Sequence, residues 1–174
     1  MNRFKSLFLP IIRYGLCPLL TVLWLCFIFG NSLQSGTESS EQSGKVHTIV
    51  NEVAQSVGIE KPISEKTVRN SAHFIEFAAL SLLICADLLC FGILTRNGRK
   101  RSLLLALLSI PICTLLAMID ETIQRFSAGR SCQWSDVLLD TAGAALAVLC
   151  FLGVYLAVCK LRKCLSAKKA IPSK

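Results

Sequence analysis

The stretch SLLLALLSIPICTLLAMIDETIQ, residues 102–124, decides how this chain is read. Its first eighteen residues carry no charge. Asp120 and Glu121 then arrive together, with Gln124 one helical turn further on. A helix that crosses a bilayer needs roughly 20 mostly apolar residues. Residues 102–120 therefore read as a membrane span, with a kink predicted at Pro111. The three polar groups at its end share one helix face. Ionisable groups at membrane depth are costly, and they persist mainly where they are paired, face the bundle interior or serve a function.

Three further apolar blocks flank this one, at 14–31, 72–95 and 137–159. The whole 174-residue chain is 53% hydrophobic with a mean hydropathy of +0.57, and its apolar residues come in long runs. The fold class that follows is all-α and integral to a membrane: a four-helix transmembrane bundle, a single domain over 1–174 with no separate soluble part.

The net charge of +8 raises nucleic acid as a partner, and its placement argues against that. Arg3, Lys5 and Arg13 precede the first block, and Arg96, Arg99, Lys100 and Arg101 fill the loop between the second and third. Lys160, Arg162, Lys163, Lys168, Lys169 and Lys174 follow the last. Bases concentrated on alternate sides obey the positive-inside rule. The pattern predicts a multi-pass protein of the cell membrane with both termini cytoplasmic, a basic cytoplasmic tail at 160–174, and membrane lipids as its surroundings. The hydrophobic run at the N-terminus continues past Trp24 to Phe29 without a small-residue cleavage site, which reads as a retained span and not a signal peptide. Cys17, Cys26, Cys85, Cys90, Cys113 and Cys150 lie within the apolar blocks, where the thiol behaves as a small hydrophobe. Cys132 stands alone in the third loop, and no C-x-x-C pair suggests a zinc–thiolate site.

The segment 32–71 reads as an extracytoplasmic loop. Within it Val46, Ile49, Val50, Val53 and Val57 recur at helical spacing opposite Lys45, His47, Asn51, Glu52 and Gln55. That pattern predicts an amphipathic helix of about three turns lying over the bundle as a lid, ended by Gly58 and Pro62. His47 falls on its polar face and is given no role.

The remaining polar residues collect at the same ends of three spans. Arg69, His73 and Glu76 share a face where the second span opens. Asp120, Glu121, Gln124 and Arg125 close the third, Arg130 lies in the loop beyond, and Ser135 is placed to cap the last span. Asp136 and Asp140 then stand four apart, above the small residues Thr141, Ala142, Gly143, Ala144 and Ala145, which permit close helix contact. Asp87 lies roughly 16 Å deeper than Glu76 and needs a partner of its own, such as a base from the second loop. In the outer band five carboxylates (Glu76, Asp120, Glu121, Asp136, Asp140) face three arginines (Arg69, Arg125, Arg130). The surplus calls for shared protons, a charged His73 or a bound cation.

In sequence order these pieces resemble the VanZ-like membrane protein family. The resemblance runs from about Phe27 to Gly153. It rests on Phe29-Gly30-Asn31-Ser32-Leu33-Gln34 with Ser39, Ser40 and Ser43, and on His73-Phe74-Ile75-Glu76-Phe77. It continues through Asp120-Glu121-x-x-Gln124-x-Phe126-x-x-Gly129-Arg130 and Asp136-x-x-x-Asp140-x-x-Gly143. The family often has Tyr at the position of Phe77 and Asn at that of Asp140. The resemblance implies four spans and, in some members, reduced susceptibility to lipoglycopeptide antibiotics of the teicoplanin type. It implies no reaction.

Three readings of the cluster stay open. In one, the groups only pair with one another, for example with Arg130 forking onto Glu121 or Asp136, and hold helix ends in register. In the second, Arg69, His73, Glu76, Asp120, Glu121, Gln124, Arg130, Asp136 and Asp140 form a binding site for a lipid-linked envelope precursor or a lipoglycopeptide. In the third, the chain is an intramembrane enzyme with His73, Glu76 and Glu121 as catalytic candidates, or with His73, Glu76, Asp120 and Glu121 around a divalent metal. The second is preferred, and catalysis is not. No nucleotide loop or nucleophile elbow is present in the sequence, so no soluble cofactor is indicated.

Overall fold

In the computed structural model, residues 15–59, 61–92, 99–130 and 133–169 are described. They form five helices: α1 Cys17–Leu33, α2 Gly36–Ser56, α3 Glu65–Gly92, α4 Arg99–Phe126 and α5 Trp134–Lys169. No strand occurs among the described residues. Three stretches are long and apolar enough to cross a membrane: Glu65–Cys90, Ser102–Phe126 and Trp134–Arg162. α1 and α2 meet at a 113° bend, and counting that pair as one broken span brings the total to four. The expected start of the first span at Tyr14 and end of the second at Thr95 lie outside the described residues. So do Arg3, Lys5, Arg13, Arg96, Cys132 and Lys174.

The segment expected as a loop is largely helical. α2 has 21 residues, about twice the predicted three turns. A cap that the apolar spacing does not reveal accounts for the extra length. Ser35 Oγ accepts from the Glu38 amide at 3.3 Å, and Glu38 Oε2 accepts from the Ser35 amide at 3.0 Å. This reciprocal box satisfies two donors that a helix start otherwise leaves open. At the other end Gly58, at φ +87°, turns the chain back. Asn51 then holds the return: its side chain accepts from the Ile63 amide at 2.8 Å and donates to the Ile63 carbonyl at 3.3 Å. His47 Nε2 lies 2.7 Å from the same carbonyl, so the histidine left without a role braces the α2–α3 connection. The apolar stripe of α2 stays uncovered at Val46, Ile49, Val53 and Val57.

α3 is the central helix and packs most extensively on α5. Gly143 makes that contact possible. A Cβ there would strike the Phe74 carbonyl oxygen and sit 3.2 Å from the Phe74 ring carbon. Ser81 Oγ, two turns beyond Phe74 on α3, donates to the Ala144 carbonyl at 3.2 Å. The small residues after Asp140 thus do what their sizes suggest. Phe77, Leu80 and Ile84 of α3 join Ile28, Cys113, Ala117 and Ala144 in the main apolar core. A second core of Cys85, Ala106, Val148 and Leu152 lies deeper. Outward-facing Leu104, Leu115, Leu138 and Val154 leave an apolar periphery suited to lipid.

α4 continues through Pro111 without a break, with the proline exposed on its outer side. α5 begins at Trp134, one residue before Ser135, which therefore lies inside the first turn and is not its cap. The backbone amide of Gln133, just before the helix, is bonded instead to Glu121 Oε2 at 2.8 Å. Asp87 accepts from Thr21 Oγ1 at 2.6 Å, so its described partner is a hydroxyl on α1 and not a base.

Candidate functional site

The 113° bend between α1 and α2 brings Asn31, Ser32 and Ser39 over the same end of the bundle where α3 begins, α4 ends and α5 begins. Gly36 is required in this bend: its amide donates to the Ala128 carbonyl at 2.8 Å, and a Cβ would lie 2.6 Å from the Gly129 carbonyl oxygen. Gly129 turns the α4–α5 loop at φ +77°. Two glycines in backbone contact therefore lock the bend to the loop that carries Arg130.

Arg130 serves this junction. Its guanidinium donates to the Asn31 carbonyl at 3.2 Å, the Ser32 carbonyl at 3.3 Å and Ser39 Oγ at 3.0 Å. These acceptors are neutral, and among the described residues no ion pair joins Arg130 to Glu121 or Asp136. The expected fork onto a carboxylate is replaced by capture of the carbonyls exposed where α1 ends. Burial, reinforced by the nearby Arg69 charge, pulls Arg130 below its usual pKa, while Asp120 and Glu121 oppose the shift. Its Nε remains buried without a partner.

Beneath the junction lie the acids. Asp120, Glu121, Gln124 and Asp140 are all fully or nearly fully buried. Gln124 Nε2 donates to Asp120 Oδ2 at 2.9 Å, one turn back on the same helix, and to Ser32 Oγ at 3.3 Å. Glu76 Oε1 accepts from Asn31 Nδ2 at 3.4 Å, and the Glu76 carbonyl accepts from Trp24 Nε1 at 3.0 Å. Donor atoms of His73 on α3, Asp120 on α4 and Asp140 on α5 all lie within 4.8 Å of one another. His73 Nδ1, Asp120 Oδ1 and Asp140 Oδ1 are buried with no hydrogen-bond partner. Of the four residues that one reading set around a metal, His73 and Asp120 fall in this group, together with Asp140. Glu76 turns to Asn31 and Glu121 to the Gln133 amide.

The combination of bend, glycine contact, Arg130 and buried acids uses the ordered motifs on which the family resemblance rests. A family model described as VanZ/LLP1 matches residues 18–158. The chain belongs to the VanZ/LLP1 family. No curated protein and no solved structure matches it. The VanZ/LLP1 match spans all the clustered residues, from Asn31 to Asp140.

In this VanZ/LLP1 chain a cavity of about 240 Å³ opens beside the cluster, lined by His73, Glu76, Arg69 and Arg130 together with Ser39, Val46 and other residues of α1–α3. A polar groove of about 400 Å³ lies on the other side of Arg69 and Arg130 and takes in Asp136, Lys66 and Asn70. Asp136 accepts from Ser135 Oγ at 3.1 Å and so belongs to the groove, apart from the buried three. Arg69 is half-buried and has neither hydrogen-bond nor ion-pair partner among the described residues. Asn31 and Ser32 were the site residues that side-chain reasoning passed over. Both stand in the Asn31-Ser32 motif, yet Arg130 reads their carbonyls, which no side-chain pattern reveals.

Proposed function

We propose that this membrane protein of the VanZ/LLP1 family binds the anionic headgroup of a lipid-tailed envelope molecule in the cavity beside His73. In this reading the whole chain is one membrane domain, its termini and basic tail are cytoplasmic, and the polar end faces outward with α2 as an interfacial lid. The observation that carries it is the pair Arg69 and Arg130, which share the cavity wall while neither makes an ion pair with a carboxylate among the described residues. A guanidinium is the side chain best suited to grip phosphate or carboxylate. The wall also changes character along α2. Ser39, Gln42, Ser43 and Val46 line the cavity at helical spacing, and Ile49 and Val53 prolong the same face as an exposed apolar track. A headgroup at the arginines and an acyl tail along that track suit this order. Sequestering or shielding such a ligand is the route by which the protein would lower susceptibility to lipoglycopeptides, whose own lipid tail distinguishes teicoplanin from vancomycin.

The test compares wild type, Arg69→Ala and Arg130→Lys in a susceptible Gram-positive host at matched membrane levels. Teicoplanin and vancomycin inhibition are read alongside mass spectrometry of anionic lipids retained by the purified protein. Arg69→Ala is the cleaner variant because no described internal bond is lost with it. Teicoplanin-selective protection, with retained anionic lipid falling about tenfold in Arg69→Ala, agrees with a lost charge-assisted contact of about 1.5–3 kcal/mol. Protection and lipid retention unaffected by both substitutions reject the reading.

A further inference from the structure

We infer that His73, Asp120 and Asp140 hold a single divalent transition-metal ion of the Mn²⁺ or Zn²⁺ class, at a site that meets the arginine cavity through His73 and does not require its ligand. Three helices contribute one donor each, and the donors lie within 4.8 Å of one another. Donors bound at about 2.1 Å around a tetrahedral ion stand about 3.4 Å apart. The widest separation here therefore has to close by up to about 1.4 Å, which side-chain rotation supplies.

The burial of these donors makes a partner necessary. Asp120 is 0% and Asp140 1% exposed, and each keeps one oxygen with no hydrogen bond. His73 Nδ1 is buried and equally unpartnered. Buried polar atoms are satisfied in native proteins, and buried charges are paired or bound to metal. Among the described residues no ion pair to Asp120 or Asp140 supplies that pairing. Arg130 gives its donors to Asn31, Ser32 and Ser39, and Lys45 pairs with Glu41 at 3.0 Å on the exposed face of α2. A dication would satisfy the three orphaned atoms together and cancel the two aspartate charges. A proton shared between the aspartates would serve two of those atoms and leave the imidazole unsatisfied.

The surroundings resemble the outer support of a metal site. Gln124 holds Asp120 by Oδ2, fixing the carboxylate so that Oδ1 remains available. Ligating carboxylates are held by such outer hydrogen bonds. One imidazole with two carboxylates favours a borderline ion over Ca²⁺ or Mg²⁺, which prefer all-oxygen sets. Three protein donors leave at least one position open. His73 also lines the cavity, which gives the ion an entry path.

The test uses the full chain in lipid nanodiscs, stripped with a chelator and titrated with Mn²⁺ alone, free Mn²⁺ being read by electron paramagnetic resonance. Zn²⁺ is titrated separately against a chromogenic chelator. The expected result is saturable uptake of a single ion per chain. Asp120→Asn and Asp140→Asn should each weaken uptake by at least about 100-fold, since outer-shell changes alone cost 10–100-fold. Pulsed resonance of the bound Mn²⁺ should show imidazole nitrogen coupling. The chain has two histidines, so the coupling should survive His47→Gln, which removes the α2–α3 brace, and vanish in His73→Gln. If the aspartate variants do not fold, the nitrogen coupling in wild type and in His47→Gln still decides. Uptake of neither ion overturns the site. Uptake indifferent to the aspartates overturns it too, as does bound Mn²⁺ without nitrogen coupling.

Discussion

The two ends of the bundle bury carboxylates in opposite ways. At the basic end Asp87 sits alone, half-buried, and takes a 2.6 Å hydrogen bond from Thr21 across the α1–α3 contact. At the polar end Asp120 and Asp140 are buried completely, near each other and near His73, and each has an oxygen without a partner. One neutral donor near the end of a helix pair is enough to settle a single carboxylate as packing glue. Two carboxylates and an imidazole drawn from three helices are more than register requires; Asp87 also keeps one oxygen without a partner, but only at the polar end do the unpartnered atoms converge. Burial alone therefore does not mark a site in this molecule. Convergence without satisfaction does.

The largest expected effect comes from destroying that convergence. Gly143→Val places a branched side chain against the Phe74 carbonyl and ring, forcing α3 and α5 apart one turn below Asp140. Overpacking of this kind costs about 3 kcal/mol. The variant should lose about that much in unfolding free energy by denaturant titration in detergent, and its Mn²⁺ uptake should fall with it. Uptake preserved at wild-type affinity would show that the α3–α5 seam does not position His73 against Asp140.

Next in size is the stabilisation that a bound ion confers. At a free Mn²⁺ concentration of about a hundred times Kd, unfolding free energy should rise by about 2.7 kcal/mol. Wild type and Asp87→Asn should both gain it, and Asp140→Asn should not. Equal gains in all three would place the ion outside the polar end. Thr21→Val follows, at about 2 kcal/mol, because it takes the described donor from Asp87 and leaves the carboxylate unsatisfied. Thermal melts of this variant should fall with metal uptake unchanged. Coupled loss of uptake would erase the distinction between the two ends.

What the sequence made visible follows from what spacing encodes. Helical periodicity put Arg69, His73 and Glu76 on one face, and Asp120 with Gln124 on another, and those groupings within single helices hold in the structure. Small residues after Asp140 announced the tight α5 contact, where Gly143 meets Phe74. Relations between helices were not legible. That Asp140 faces His73 while Glu76 turns to Asn31 depends on axial register, which the glycine contact sets and no single-helix pattern records. Arg130 was found as a charge, but the reading that forked it onto acids could not foresee its partners, since the oxygens it reads belong to the backbone at a bend. The full length of α2 was signalled by Ser35 and Glu38, three apart ahead of the valine stripe, but the stripe alone begins nearly three turns too late.

Asp87→Asn carries the smallest expected effect and says the most about the basic end. Asparagine keeps an acceptor for the Thr21 hydroxyl, and it removes a charge held at membrane depth. Its amide nitrogen would replace Asp87 Oδ1, a buried atom with no partner, so one unsatisfied group is exchanged for another. The charge relieved and the donor stranded act in opposite directions, each on the order of 1–3 kcal/mol. The net change in unfolding free energy should lie within about 1 kcal/mol. A loss well above 2 kcal/mol would mean that the charge itself is held by a base, and Arg96, Arg99, Lys100 and Arg101 are the nearest in sequence. The basic end would then be an ion-paired site in its own right, and the contrast with the His73 cluster would rest on the identity of the cation and no longer on its presence.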